Sequence, residues 1–431
     1  MINYQQLKIN NLPVEILELT LTKLEIGWHQ LMMYVCRLWY NILSTWRQRN
    51  NLPYKRLTPI TYMIENISTL QWAINNNYEL NEHTSAMMAL HGYLDILKWA
   101  RKHKCPWDTW TCNAAALNGD LKLLKWVCSQ GCNWETKTLQ YAVENGHFIV
   151  VQWLYYNGCP LNKWACAYAA LNGYLDILIW LRGKKCPWDT WTCAYAAKKG
   201  NLNILKYVKH KDCSWDRNTT RNAAAFGHLD VLKWARKKGC PWDKSICSNA
   251  AMNNQLETLK WARAHGCPWD VYTCNNAAKY GHLEILKWAR AHDCPWNRTT
   301  SSWAALKGHF TLFKWALERG CPIDEVTCRF AARGGHLNIL KYAYEHDCPW
   351  DVHTCSSAAL NGHLHVLKWA REHGCEWNSW TCRTAASNGH LHVLKWAQEN
   401  GCPWDEWIYK YARENGHLDV LMWIRSNNLE Y

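Results

Sequence analysis

Phenylalanine is scarce in this chain, with 5 residues against 31 tryptophans and 21 tyrosines. A core drawn freely from aromatic residues would use all three, so the imbalance points to the copying of a few tryptophan-bearing positions. No stretch approaches 18 consecutive apolar residues, which leaves no candidate membrane span. The net charge of +14 is spread along the length without a block of like charge, so no disordered basic arm is indicated. The opening MINYQQLKINNLPVE lacks the apolar stretch of a signal peptide. The 22 cysteines are therefore expected as thiols of a reducing compartment, cytoplasm or nucleus, rather than as a disulfide framework. There is no C-x-x-C pair, no Gly-rich phosphate loop and no nucleophile elbow. An enzyme has nothing to rest on, and no catalytic residue, metal or cofactor is expected.

What is present is a unit of 27 residues. GHLHVLKWAREHGCEWNSWTCRTAASN from Gly362 starts again at Gly389 as GHLHVLKWAQENGCPWD. Steps of 27 from Gly362 reach Gly92, Gly119, Gly146, Gly173, Gly200, Gly227, Gly281, Gly308, Gly335 and Gly416, with Asn254 as the one substitute. A fixed period of this size marks a solenoid, whose units bury their apolar faces only against neighbours. The expected class is all-α: a solenoid of about 13 helix-turn-helix repeats across residues 92–431, preceded by a degraded capping copy at 61–91 that keeps Trp72, Thr84 and Ala89 in register. A monomer is expected.

In the copy that begins at Gly92, the pattern predicts a helix from Leu94 to His103, a turn at Cys105-Pro106-Trp107-Asp108, and a second helix from Thr109 to Asn118. Asp108 and its equivalents are placed to cap the second helix, and Gly119 to end it in the left-handed conformation that Asn254 also tolerates. At about 100° per residue, Cys112, Ala115 and Ala116 share one face of that helix. Alanine recurs at the Ala115 position in all twelve copies from Ala115 to Ala412, so this face is framework. Trp110, Ala114, Leu117 and Asn118 fall on the opposite face, where the copies disagree. Trp recurs at the Trp99 position in twelve of fourteen copies, with Tyr207 and Tyr342 as exceptions, and reads as core.

Three further columns read as structure. The cysteines, at intervals of 7 and 27, read as small buried apolar residues, with equivalents about 8–10 Å apart in adjacent repeats. His147 and seven equivalents follow the glycine, where Tyr, Asp, Asn and Gln substitute; they suit a turn or an interhelix hydrogen bond. Lys98 and its equivalents, reinforced by Arg101, Arg182, Arg236, Arg263, Arg290 and Arg371, form a basic stripe that could follow phosphates. Asp95, Glu257 and Glu284, three residues before their lysines, make a solvated face of helical ion pairs the plainer account.

Residues 8–48 carry a different, amphipathic helical pattern, with a polar, proline-bearing linker at 49–60. Leu12, Pro13, Glu15, Leu17, Leu24, Leu31, Val35, Cys36, Arg37 and Trp39 stand in the order of an F-box, which this segment resembles. Glu25 to His29 depart from that family's usual acidic-Pro turn. The resemblance implies docking onto a Skp-family adaptor and, through it, a cullin ubiquitin ligase, with Leu12, Pro13, Ile16, Leu17, Leu24, Val35, Cys36 and Trp39 as contact residues. The 27-residue unit resembles an ankyrin repeat: Thr-Cys-x-x-Ala-Ala-x-x-Gly-His-Leu stands where that family has Thr-Pro-Leu-His-x-Ala-Ala. Its missing six residues fall at the hairpin tip, so a tight turn is expected there. This two-part architecture is similar to host-directed proteins of large DNA viruses of protists.

The resemblances imply a substrate-recognition adaptor, with an F-box that recruits a ligase and repeats that hold a target protein. Trp110, Trp164, Trp191, Tyr195, Tyr272, Trp303, Phe330, Trp380 and Trp407, on the variable face, are the expected anchors, because aromatic residues dominate interface energetics. The alternatives are a protein-binding scaffold without a ligase and, third, a basic solenoid for nucleic acid.

Overall fold

Each repeat starts and stops where its sequence supplies a cap. Asp108 accepts a hydrogen bond from the Trp110 amide at 2.9 Å, and Asp189, Asp216 and Asp270 cap their own helices in the same way. At the other end Gly119 takes φ +83°, and Asn254 adopts φ +61° in its place. The computed structural model describes residues 64–75, 79–427 and 429, which form 27 α-helices and no strand. The F-box-like segment 8–48 and the linker 49–60 lie outside the described residues. The turn from Cys105 to Asp108 therefore leads directly from one helix to the next.

The chain divides between Trp188 and Asp189 into two compact units built on one plan. The first holds α1 (Ile67–Asn75), α2 (Glu82–Leu90), α3 (Leu94–Lys102), α4 (Thr109–Asn118), α5 (Leu121–Ser129), α6 (Thr136–Glu144), α7 (Phe148–Tyr156), α8 (Lys163–Asn172) and α9 (Leu175–Gly183). The second runs from α10 (Thr190–Lys198) to α27 (Leu418–Ser426) and includes α16 (Val271–Lys279), α18 (Arg298–Lys307), α20 (Glu325–Gly334), α22 (Val352–Leu360), α24 (Ser379–Ser387) and α26 (Trp407–Glu414). Within each unit the even-numbered helices pack on one another in an inner row, far closer than the odd-numbered helices that cover them. The cause is side-chain size. Cys112, Ala115 and Ala116 on α4 are wholly buried, as are their equivalents Cys355, Ala358 and Ala359 on α22.

The tryptophans of the Trp99 column do not enter this core; they are half-buried at its edge. Leu97 and Ala100 share the inward side of the covering helix and are wholly buried, whereas Trp99 lies at least about 100° round the helix from both. Trp126 packs its ring edge-on against Trp107 at 5.8 Å, and Trp261 meets Trp242 likewise at 6.0 Å. In most copies the other face of the turn tryptophan is covered by a cation. The Arg101 guanidinium lies 4.0 Å from the Trp107 ring centre and donates to Cys105 O at 2.7 Å, and Arg182, Arg236, Arg263, Arg290 and Arg371 repeat the arrangement. Where the turn carries Leu161 or Ile323 instead of tryptophan, the arginine position holds Tyr155 or Leu317. The converse does not hold, since Trp134, Trp350 and Trp404 keep the indole with Cys128, Tyr344 and Gln398 at the arginine position.

Two further bonds tie repeats to the ones before, a cysteine bond throughout and a histidine bond in the copies that carry histidine. Cys132 Sγ donates to Asp108 O at 3.1 Å, and Cys240 Sγ to Asp216 O at 3.4 Å. Burial pushes the Cys159 and Cys240 thiols up to about 11 and about 12, so they remain protonated donors at neutral pH. The two cysteine columns also meet each other, as the separation of equivalents within one column did not suggest: Cys112 Sγ lies 3.5 Å from Cys132 O, and Cys355 Sγ 3.8 Å from Cys375 O. The histidines make the second tie. His147 Nε2 stands 3.0 Å from Leu117 O, and His336 and His390 stand 3.2 and 3.1 Å from Leu306 O and Leu360 O.

Burial lowers the affinity of His336, His363 and His390 for protons, and the bond to a backbone carbonyl offsets this only in part. A histidine whose folded pKa is depressed stabilises the fold above its ordinary value, near 6.5, and that contribution is lost as pH falls through the folded value. The melting temperature is therefore expected to fall between pH 7.5 and pH 5. Replacing these three histidines by glutamine, the residue that Gln255 supplies in one natural copy, should flatten the pH dependence measured by thermal scans.

Candidate functional site

With the recurring side chains used for packing or for ties between repeats, the irregular face of the inner helices is left open. Five of the nine expected anchors are exposed there, Trp110, Trp191, Tyr272, Trp380 and Trp407, with Tyr272 the most open at 61%. Trp164, Tyr195, Trp303 and Phe330 are half-buried. None is part of the core, because the inner helices turn only their small-residue faces toward one another.

In the first unit Trp110 meets Tyr141 edge-on at 5.5 Å across adjacent inner helices, and Trp164 leans on Tyr168 at 6.5 Å. In the second unit Trp191 and Tyr195, one helical turn apart, touch at 5.6 Å. Trp303 of α18 and Phe330 of α20 lie 6.0 Å apart and share a groove of about 330 Å³ with Arg298, Thr299, Ser302, Asp324, Glu325 and Val326. Arg383 bridges the last pair of anchors, with its guanidinium 5.0 Å from the Trp380 ring and 6.0 Å from that of Trp407. Among the described residues Tyr272 has no aromatic contact of this kind.

The cations on this face escaped the sequence reading. Lys279 Nζ sits 4.3 Å from the Trp303 ring, and Lys410 Nζ 4.3 Å from that of Trp407. Arg329 and Arg383 pair with Asp351 and Asp405, the caps of the following inner helices. Burial pushes the Asp405 carboxyl upward, but the hydrogen bonds from Arg383, Ser379 and the Trp407 amide, with the Arg383 charge, together outweigh it and leave the group below its ordinary value. A signal was available in the position after each Cys112-type residue, where Arg221, Arg329 and Arg383 interrupt a series of Asn, Ala and Ser.

The basic stripe on the covering helices is partly engaged within the fold. Lys260 and Lys287 pair with Glu257 and Glu284 at 2.7 and 2.8 Å, and Lys98 with Asp95 at 3.6 Å. The six arginines that were to reinforce it are the staples on the turn tryptophans. Among the described residues no group of three or more His, Cys, Asp or Glu could hold a metal ion, and no helix is long and apolar enough to cross a membrane.

No protein-family model matches the chain, and no curated protein does. Among solved structures it is similar to the human ASB11 ankyrin repeat domain, at 16% identity over 36% of this chain and 84% of that one, with a TM-score of 0.32. It is also similar to the pentatricopeptide repeat protein PPR10 in complex with an 18-nt psaJ RNA element, at 12% identity over 96% of this chain and 67% of that chain, with a TM-score of 0.39. A second PPR10 crystal structure gives the same values.

Proposed function

We propose that this chain is the substrate-recognition adaptor of a cullin-type ubiquitin ligase, with the repeats holding a target protein and the N-terminal segment docking a Skp-family adaptor. One observation carries the repeat half. The residues that recur in every copy are buried or tied to a neighbour, whereas the irregular aromatics are left accessible on one face, and clustered accessible aromatics are the usual anchors of protein interfaces. The ligase half rests on the F-box-like order of Leu12, Pro13, Leu17, Val35, Cys36 and Trp39.

Affinity purification from a eukaryotic lysate, read by mass spectrometry, tests it. The parent chain is expected to recover a Skp-family adaptor and a cullin, and the Leu12→Ala/Trp39→Ala variant to lose both while keeping its target. A parent chain that recovers a target but no adaptor is a scaffold without a ligase. The engagement of the arginine column with the turn tryptophans weighs against the nucleic-acid reading, which requires those guanidinium groups for phosphates. Steep salt dependence of oligonucleotide binding, relieved by changing the Lys98-type lysines, would restore that reading.

A further inference from the structure

The charges around the Trp303–Phe330 groove are not uniform. At its N-terminal end Asp324 and Glu325 line the wall, with Arg298 Nε 3.4 Å from Asp324 Oδ2. At the C-terminal ends of three successive inner helices, α16 and the two that form the groove, stand Lys279, Lys307 and Arg333. Lys307 and Arg333 are exposed, Lys279 lies over the Trp303 ring, and among the described residues none of the three forms an ion pair with a carboxylate. Cations in a last helical turn also complement the helix dipole. That effect alone explains neither their clustering in three consecutive copies nor the aromatic-walled groove beside them, for α22 and α24 end without any basic residue in the last turn.

We propose that this groove seats a bulky apolar side chain of an acidic target segment, whose carboxylates meet Lys279, Lys307 and Arg333. The assignment rests on the protein-binding reading above and names the chemistry of the target. Charge complementarity selects the occupant. A peptide can place carboxylates at one end of the groove and an apolar residue against Trp303, Phe330 and Val326, leaving Asp324 and Glu325 unopposed by negative charge. A nucleic-acid strand carries a phosphate at every step and would have to pass those two carboxylates. Three cations on successive inner helices, each about 8–10 Å from the next by ordinary helix packing, also suit a short cluster of aspartates or glutamates.

The test uses the full chain and three fluorescein-labelled probes: a synthetic peptide with a central Trp-Leu flanked by aspartates and glutamates, the same peptide with lysines at the acidic positions, and an oligo-uridylate. Fluorescence polarisation is expected to show binding of the acidic peptide alone, weakened about tenfold or more by Lys279→Glu/Lys307→Glu/Arg333→Glu and again by Trp303→Ala, with thermal scans confirming folded variants. Unchanged affinity in the triple variant, equal binding of the lysine peptide, or no binding of the acidic peptide overturns the assignment. Panning a random displayed-peptide library on the full chain separates this failure from that of the broader reading. Enriched peptides that are not acidic, or that bind the triple variant equally, remove this site and leave protein binding standing. Enrichment of none, with oligo-uridylate bound, removes both.

Discussion

Replacing Ala358 by leucine should destabilise the second unit by about 3 kcal/mol or more, the upper range for forcing extra methylenes into a filled interior. Ala358 has no solvent exposure and lies on α22, in the row where inner helices pack directly on one another. Leucine would need space that only separation of the neighbouring inner helices could provide, and that separation would also lengthen the cysteine and histidine ties on either side. For a unit of this size the melting temperature should fall by about 6–12 °C. Leu360, two residues on, is half-buried on the irregular face, so Leu360→Ala should cost much less. The contrast within one helix separates a positional effect from a general intolerance of change. Equal shifts for the two variants would count against the framework assigned to the alanine face.

Gly308→Ala is expected to cost about 2–3 kcal/mol. Gly308 has φ +75°, where a side chain is strained by about 1–2 kcal/mol, and an added Cβ would stand 2.4 Å from His336 Cε1. The imidazole would have to move, weakening its bond to Leu306 O, and a typical hydrogen bond is worth about 1 kcal/mol. Gly401 supplies the control: its φ is +80° but a Cβ there meets nothing within 4 Å, so Gly401→Ala should incur only the backbone strain. The chain contains its own partial solution at Asn254. There φ relaxes to +61° while His282 Nε2 keeps its place 3.1 Å from Met252 O. Gly308→Asn should accordingly cost less than Gly308→Ala. A denaturant titration of Gly308→Ala in the His336→Ala background should show the collision part of the penalty removed.

The features set by one repeat considered alone were legible in the sequence. Asp108 caps, Gly119 terminates, Asn254 replaces a left-handed glycine, and alanine marks the face where inner helices meet; each follows from local backbone chemistry. Contacts between repeats were harder. The histidine tie spans 30 residues, and nothing in its own repeat announces the carbonyl that receives it. The tryptophans of the Trp99 column look like core to any hydrophobicity argument, which does not register that Leu97 and Ala100 already take the inward side of the same helix. The role of Arg101 left a signal in the recurrence of arginine six residues before a turn tryptophan, as in Arg101 with Trp107 and Arg371 with Trp377. Recognising that pairing would have withdrawn six arginines from the basic stripe. On the irregular face, periodicity located the aromatics but could not foresee that Trp303 and Phe330 would share a groove, or that Arg383 would stand between Trp380 and Trp407.

The central claim is that the recurring side chains build the stack and the irregular ones choose the partner. It is tested most directly by changing the five exposed anchors, Trp110, Trp191, Tyr272, Trp380 and Trp407, to alanine in one chain, then measuring its thermal unfolding and its affinity for the target that the parent captures. The account predicts a melting temperature within about 3 °C of the parent, since surface substitutions away from packed features change stability little, together with target affinity reduced at least about a hundredfold, as loss of several anchors implies. A chain that unfolds far below the parent, or that keeps its target at full affinity, would contradict it.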